Sequence, residues 1–246
     1  MAEILGLGIT HYPPLCLPDA DMSGILRWTL ADPAIPAEAK DPRHWPAAMQ
    51  AEWADDQGTQ AAAHHRAALV AGLQRVRDRL DAFQPDVVLL QEIKCQDPAF
   101  PTEAVGDLGY NVATHGQKSY NGVAILSLRP LEDVVAGLPG DPLDEQARYL
   151  EATTCGVRVA SIYLPNGNPI GTGKFDYKLA WMERLRAHAR ALLELDEPVV
   201  LGGDYNVIPE PIDCHDPKAW LGDALFQPES RRAFRALLHL GFTEAF

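Results

Sequence analysis

The stretch PVVLGGDYNVIP, residues 198–209, joins a short apolar run to a polar end. Residues 199–201 are all apolar and β-branched or long, which is typical of a buried β-strand. Asp204 and Asn206 follow at the carboxyl end of this run. In α/β proteins the ends of strands and the loops after them commonly carry the chemistry. The stretch therefore predicts a core strand and a candidate site together.

Other apolar runs extend this pattern in both directions. DVVLLQ (86–91), GVAIL (122–126) and VRVASIYL (157–164) predict three more buried strands. Apolar residues recur at helical spacing over about residues 175–195 and 229–240, which predicts two helices. Strands that alternate with helices indicate an α/β fold.

Residues 1–83 have a different pattern. Alternation over residues 3–10 predicts a short strand, and helical spacing over about residues 59–83 predicts one amphipathic helix. The prolines between them leave room only for short helices. We therefore predict a mostly helical, unrelated N-terminal segment, residues 1–83, followed by an α/β domain, residues 84–246.

The composition predicts a soluble globular protein of the cytoplasm. Of the 246 residues 47% are hydrophobic, which is ample for a core, and no apolar run approaches a membrane span or a secretory signal. The four cysteines form no C-x-x-C pair, so free thiols are favoured over a zinc site or disulfides. A net charge of −13 argues against coating of nucleic acid by bulk electrostatics. An enzyme can still grip a few phosphates through a local cleft and a metal ion.

Polar residues follow three of the predicted strands, namely Glu92, Tyr163 and Asp204 with Asn206. A carboxylate at the edge of a core needs a cation or hydrogen-bond donors. Mg²⁺ suits such a place, because one or two carboxylates hold it while water and phosphate fill its remaining positions. Taken singly, the glutamate could be a solvated residue, the Gly-Gly-Asp a tight turn and the tyrosine a packing residue. Only as a set do they predict a site.

As a set, these motifs resemble the endonuclease/exonuclease/phosphatase family, and within it exonuclease III. The resemblance runs through PDVVLLQEIK, HGQKSYNGVAIL, DEQARYLEA, SIYLPNGNP, KFDYKLAWMERL and VVLGGDYNVIPEPIDCHDP. It implies a two-sheet α/β sandwich and a DNA-repair phosphodiesterase. It also implies that Glu92 coordinates Mg²⁺, with Mn²⁺ as a substitute, that Tyr163 contacts the phosphate, and that Asp204 and Asn206 position the attacking water.

The resemblance further implies a substrate and the residues that contact it. The substrate is double-stranded DNA with abasic sites or 3′ ends. Contacts to its backbone are implied for Lys118, Tyr120, Asn121 and Arg148. The fold alone would also admit phosphatases of lipid or inositol headgroups.

Parts of the family pattern have no counterpart in these 246 residues. The family carries an early Asn in a W-N-V-N or F-N-I-N setting, a late Asp in R-I-D, and a His in S-D-H. None of the three matches here. We therefore expect an incomplete sandwich and an impaired active site. A DNA-binding remnant without catalysis is one alternative.

The first 80 or so residues resemble a class III extradiol ring-cleavage dioxygenase instead, through GLGITHYPPL and AAAHHRAALVAGLQRV. That resemblance implies His11 as an iron ligand, and at most one of His64 and His65 could face the same site. An Fe(II) dioxygenase, or a fragment of one, is therefore a second alternative. The two resemblances meet at LDAFQPDVVLL, residues 80–90.

Overall fold

The structure, a computed structural model, describes residues 82–245 together with Asp78 and Leu80. These residues fall into two compact units, one of residues 86–100 with 110–245, the other of residues 101–109 with the described residues up to 85. The predicted strand at residues 3–10 and most of the predicted helix lie outside the described residues. The domain boundary at residues 83/84 stays a prediction.

Within the described part of the smaller unit, residues 102–106 form a short helix, α1 (Thr102–Gly106). Its first turn is closed by a hydrogen bond from the Val105 amide to the Pro101 carbonyl, 3.1 Å long. Proline suits the position before a helix, since the missing amide hydrogen would have no partner there.

The first sheet of the larger unit has three antiparallel strands in the order β1–β3–β2, where the strands are β1 (Val87–Gln91), β2 (Asn111–His115) and β3 (Val123–Ser127). Every residue of β3 is buried, because it pairs on both edges and packs on a face. The apolar run over residues 123–126 follows from that position, and the last residue, Ser127, is buried as well.

The second sheet has four strands in the order β4–β5–β6–β7, namely β4 (Glu132–Ala136), β5 (Tyr149–Thr154), β6 (Val157–Tyr163) and β7 (Val199–Asp204). The first three strands pair antiparallel, whereas β6 and β7 are parallel. Parallel neighbours need a long crossover, which helix α2 (Gly173–Leu193) provides.

Two apolar layers hold these elements together. Side chains of the two sheets meet in one layer, which contains Val87, Ile125, Leu150 and Val159. The other face of the second sheet packs on α2 and on the last helix, α3 (Pro228–Leu238). Strands β5 and β6 are therefore covered on both faces, as expected for strands at the centre of an α/β sandwich, whereas β4 at the edge of the sheet is exposed.

The predicted α/β fold with two sheets is confirmed. The four predicted strands correspond to β1, β3, β6 and β7, and the two predicted helices to α2 and α3, within about two residues at each end. Strands β2, β4 and β5 were not predicted. Among the described residues, none of the helices combines the length and the hydrophobicity that crossing a bilayer requires.

Candidate active site

Glu92 lies directly after β1, with a positive φ of 54°. The next two amides donate hydrogen bonds to the loop before β3, from Ile93 to the Gly122 carbonyl (3.2 Å) and from Lys94 to the Asn121 carbonyl (3.0 Å). The β1 chain end is thereby held beside that loop. This anchoring fixes the direction in which the Glu92 side chain leaves the strand.

Both carboxylate oxygens of Glu92 have partners. Oε1 accepts a hydrogen bond from the Tyr163 hydroxyl at 2.8 Å, and Oε2 lies 2.7 Å from the Lys94 ammonium. Partial burial acts to raise the pKa of Glu92, but the hydrogen bonds from Lys94 and Tyr163 outweigh it and hold the pKa below its usual value. Glu92 is therefore a carboxylate at neutral pH and can bind a cation.

Tyr163 and Asp204 are neighbours because they are the last residues of parallel strands and pair in register. Residues in register on adjacent strands direct their side chains to the same face of a sheet. Tyr163 also packs partly against the apolar layer between the sheets, so it is both a packing residue and a polar one. The structure thus brings Glu92, Tyr163 and Asp204 together at one end of the sandwich.

Asn206 lies two residues after Asp204 and is bonded to it twice. Its backbone amide donates to Asp204 Oδ1 at 2.8 Å, and its side-chain amide donates to Oδ2 at 3.3 Å. The same side-chain nitrogen donates to the Leu164 carbonyl at 2.8 Å. The Asn206 Oδ1 atom accepts a longer bond, 3.4 Å, from the Asn166 amide. Asp204 and Asn206 therefore form one oriented pair.

The pKa of Asp204 is raised above its usual value, first because surrounding protein displaces water from the carboxyl group and then because the Glu92 charge lies nearby. The bond from the Asn206 amide and the charges of Lys178 and Arg148 act in the opposite direction. A carboxylate with a raised pKa is a better proton acceptor than an ordinary one. The two carboxylates of the site consequently differ, since the pKa of Glu92 is lowered.

A buried polar link aligns the strand ends. The Ser161 hydroxyl of β6 donates a hydrogen bond to the Leu90 carbonyl oxygen of β1 at 2.9 Å and accepts one from the Gln91 side-chain amide at 3.0 Å. These bonds join the two sheets immediately before Glu92 and Tyr163. Ser161 is fully buried, so the link is shielded from water. No apolar pattern in the sequence indicated it.

Of the four residues with implied DNA contacts, Arg148 contacts the cluster and Asn121 bonds to the segment that follows Glu92. The Arg148 guanidinium lies 4.9 Å from the centre of the Tyr163 ring and donates to the Tyr163 carbonyl at 3.3 Å. The Asn121 carbonyl receives the Lys94 amide. Lys118 and Tyr120 belong to the same loop as Asn121 and are exposed, Tyr120 to 72%. All four therefore lie on, or in a loop beside, the same end of the sandwich.

The Gly-Gly pair before Asp204 lies within β7 and does not form a turn. A Cβ at Gly202 would lie 2.6 Å from Leu89 of the facing sheet. Gly203 has a φ of 140°, and a Cβ there would collide with the Ile162 carbonyl oxygen. Glycine is thus required where β7 approaches its neighbours most closely.

Replacing Gly203 with Ala is expected to lower the free energy of unfolding by about 1–3 kcal/mol, through strain at a φ that L residues rarely adopt. Gly173→Ala is the matched control, because a Cβ at Gly173 would meet nothing within 4 Å. Urea unfolding followed by circular dichroism measures both variants. Equal stability of the two variants would contradict the requirement for glycine at position 203.

The oxygen groups present fit a hard divalent cation. Glu92 supplies a carboxylate whose lowered pKa keeps it charged, and Mg²⁺ commonly uses one or two carboxylates and keeps several waters. Within the described residues no group of three or more His, Cys, Asp or Glu side chains could hold a metal. The donor set therefore suits a hydrated ion. The implied iron ligand His11 lies outside the described residues, as do His64 and His65, of which at most one could face the same site.

Comparison with known proteins gives consistent matches. The model of the endonuclease/exonuclease/phosphatase family matches residues 57–245. The chain is 34% identical to exodeoxyribonuclease III of Haemophilus influenzae over 178 residues, which are 68% of this chain and 67% of that protein. This chain spans about two thirds of the length of that relative.

Solved structures agree with this match. An AP endonuclease from Archaeoglobus fulgidus superposes with a TM-score of 0.67 at 38% identity, covering 70% of this chain and 66% of that one. The 3′ phosphatase NExo from Neisseria, bound to a product DNA hairpin, has a TM-score of 0.66 at 38% identity, covering 69% of this chain and 66% of that one. The chain therefore covers slightly less than two thirds of both solved structures.

Proposed function

The chain belongs to the endonuclease/exonuclease/phosphatase family, and we propose that it is a divalent-metal-dependent DNA phosphodiesterase of the exodeoxyribonuclease III type. The observation that carries this proposal is the cluster of Glu92, Tyr163, Asp204 and Asn206, which come from three separate segments of the sequence and are joined by hydrogen bonds. The relatives named as exodeoxyribonuclease III and AP endonuclease support it.

The reaction is hydrolysis of a phosphodiester, in which water attacks phosphorus and loses a proton while the P–O bond to the sugar breaks and the leaving sugar oxygen takes up a proton from solvent. Asp204 accepts the proton that the water loses, and its raised pKa suits it to the task. The Asn206 side chain, fixed by its bonds to Asp204 and Leu164, orients the water. The Tyr163 hydroxyl, which donates to Glu92 in this structure, can instead donate to a phosphate oxygen.

Glu92 is the residue that would hold the metal ion, Mg²⁺ or its substitute Mn²⁺. When bound, the ion supplies Lewis-acid polarisation of the phosphoryl oxygen. The lowered pKa of Glu92 keeps its carboxylate charged at neutral pH and available to a cation. Lys94, now paired with Glu92, would have to release one carboxylate oxygen.

We propose that the substrate is double-stranded DNA with abasic sites or 3′ ends. Lys118, Tyr120, Asn121 and Arg148 would contact its backbone on the end of the sandwich that carries the cluster. The DNA hairpin bound to the solved NExo structure supports a DNA ligand. The positive charges of Lys118 and Arg148 would attract the DNA backbone locally, although the whole chain carries a net charge of −13. We place the activity in the cytoplasm, where free thiols such as Cys95, Cys155 and Cys214 stay reduced.

The test is cleavage of a labelled duplex with one abasic site, with enzyme in excess over DNA so that slow turnover is visible. We expect a nicked product with Mg²⁺, none with EDTA, and a rate reduced by about 10²-fold or more in Asp204→Asn. Asp176→Asn, an exposed substitution on α2, is the control and should cleave like the unmodified chain.

Each contrary outcome is informative. If the chain binds the duplex but forms no metal-dependent product, it is a DNA-binding remnant without catalysis, and the catalytic proposal is wrong. Equal cleavage rates for Asp204→Asn and the control would show that the reaction does not depend on Asp204 and takes place outside the proposed site. Cleavage of an inositol phosphate but not of DNA would replace the proposed substrate.

A further inference from the structure

Lys178 is fully buried, with a relative exposure of 0%. Lysine is almost never buried to this extent without partners, because removing an ammonium group from water is costly. It lies on α2, a helix whose other buried residues are apolar, such as Trp181 and Leu185. A buried charge at this position therefore needs a specific explanation.

The ammonium group contacts two loops at once. It donates to the Asn166 carbonyl at 3.1 Å and forms a short hydrogen bond with the Asn206 carbonyl. Asn166 follows β6 and Asn206 follows β7, so one side chain joins the two segments that carry the candidate site. The charges of Asp204 and Asp223 favour its protonated form.

The surrounding chain is shaped to admit this side chain. A Cβ at Gly167 would lie 2.6 Å from Lys178 Cδ, and Gly167 has a φ of 87°. The glycine therefore leaves room for the lysine stem directly after Asn166. Burial lowers the pKa of Lys178 to about 8. The two carbonyl oxygens accept hydrogen bonds from the ammonium, which has three donors, whereas an apolar side chain here would leave them without this donor.

We infer that Lys178 is a positioning residue of the proposed active site. It fixes the loops that follow β6 and β7 relative to each other and thereby orients the Asn206 side-chain amide and the Asp204 carboxylate. This inference rests on the proposed function. The Lys178 ammonium donates hydrogen bonds to the Asn166 and Asn206 carbonyls. It acts through the backbone of Asn206, whose amide and side chain both bond to Asp204.

The first test needs no catalysis. Amide hydrogen exchange of the metal-free protein, resolved by NMR, measures protection of the Asn206 amide, which bonds to Asp204. In Lys178→Met we expect exchange at Asn206 to become at least about 10-fold faster, with Val159 and Ala160 inside β6 unchanged, because local opening leaves the core closed. Lys174→Met on the same helix is the matched control, since that residue is exposed.

The second test is kinetic. In Lys178→Met the kcat for abasic-site cleavage should fall by about 10–10²-fold while KM changes by less than about threefold, because misplacing a catalytic group slows the chemistry more than the binding. Lys178→Arg retains a charged donor and should recover part of both the protection and the rate. Lys174→Met should match the unmodified chain.

Two results would overturn the inference. One is unchanged exchange at Asn206 in Lys178→Met. The other is an equal increase at Asn206 and in β6, which would show that Lys178 serves the stability of the whole fold. If the unmodified chain shows no metal-dependent cleavage, the proposed function fails, and the exchange experiment still decides whether Lys178 positions the loop.

Discussion

The purified 246-residue chain is expected to cleave abasic-site duplex DNA at least ~10³-fold more slowly than exodeoxyribonuclease III of Haemophilus influenzae under the same conditions. The family resemblance implies an early Asn, a late Asp and a late His, none of which matches this sequence. In the described residues, His188 bonds to Glu151 rather than to the site cluster. Loss of one acid–base or electrostatic group costs about 10²–10⁴-fold in rate, and losses within one unit are not additive.

The activity that remains should depend on Glu92. In Glu92→Ala we expect cleavage with Mg²⁺ to fall to the rate measured in EDTA, because the carboxylate that would hold the ion is gone. Glu132→Ala, on exposed strand β4, is the control and should cleave like the unmodified chain. The measurement is single-turnover cleavage at saturating enzyme. A rate within about tenfold of the H. influenzae enzyme would contradict the expected impairment, since the family residues without a match here would then be dispensable or replaced.

The residues of the candidate site could be proposed from the sequence because each follows an apolar run that specifies a strand. Glu92, Tyr163 and Asp204 were located in this way, and their convergence followed once β1, β6 and β7 ended at the same place. What joins them could not be predicted. Ser161 lies inside an apolar run, so its sequence context does not show that its hydroxyl joins the two sheets. Lys178 is one of several charged residues of α2, so its sequence context does not show that it is the buried one.

Strand β5, one of the three strands that were not predicted, illustrates why an apolar pattern can fail to indicate a buried strand. Strand β5 contains Tyr149, Glu151 and three threonine or alanine residues, so its sequence resembles a surface segment. In the structure both of its faces are covered, Leu150 facing the first sheet and Tyr149 facing the helices. Polar residues in a strand usually indicate that one face of the sheet meets water. In β5 both faces are covered, and the polar Glu151 is buried together with its hydrogen-bond partners.

Glu151 is the clearest example of such a residue. It is only 2% exposed, and its carboxylate accepts hydrogen bonds from Tyr149 (2.5 Å) and Arg158 (2.9 Å) and contacts the His188 ring nitrogen at 2.8 Å. Arg158 also bonds to Glu197, at 2.9 Å. The group links β5, β6 and α2, so removal of the Glu151 carboxylate would leave the buried Arg158 guanidinium without one of its two carboxylate partners.

Glu151→Ala is therefore expected to lower the free energy of unfolding by about 3–5 kcal/mol, the cost of breaking a buried ion pair by removing one partner. Glu132→Ala on the neighbouring, exposed strand is the control and should change stability by less than about 0.5 kcal/mol. Urea unfolding at neutral pH measures both variants. Similar stability of the two variants would show that water or neighbouring groups replace the lost carboxylate.

The pH dependence of stability tests the same network. Burial acts to raise the pKa of Glu151, but the bonds from His188, Tyr149 and Arg158 outweigh it, so the pKa in the folded protein lies below the ordinary value of 4.5. The unfolded chain then binds the proton more readily than the folded one. The stabilising contribution is complete above about pH 4.5 and is lost as the pH falls through the folded pKa. Glu151→Gln cannot titrate at this position, so its free energy of unfolding should fall less steeply than that of the unmodified chain below pH 4.5. Parallel curves for the two proteins would mean that Glu151 carries no net ionic stabilisation.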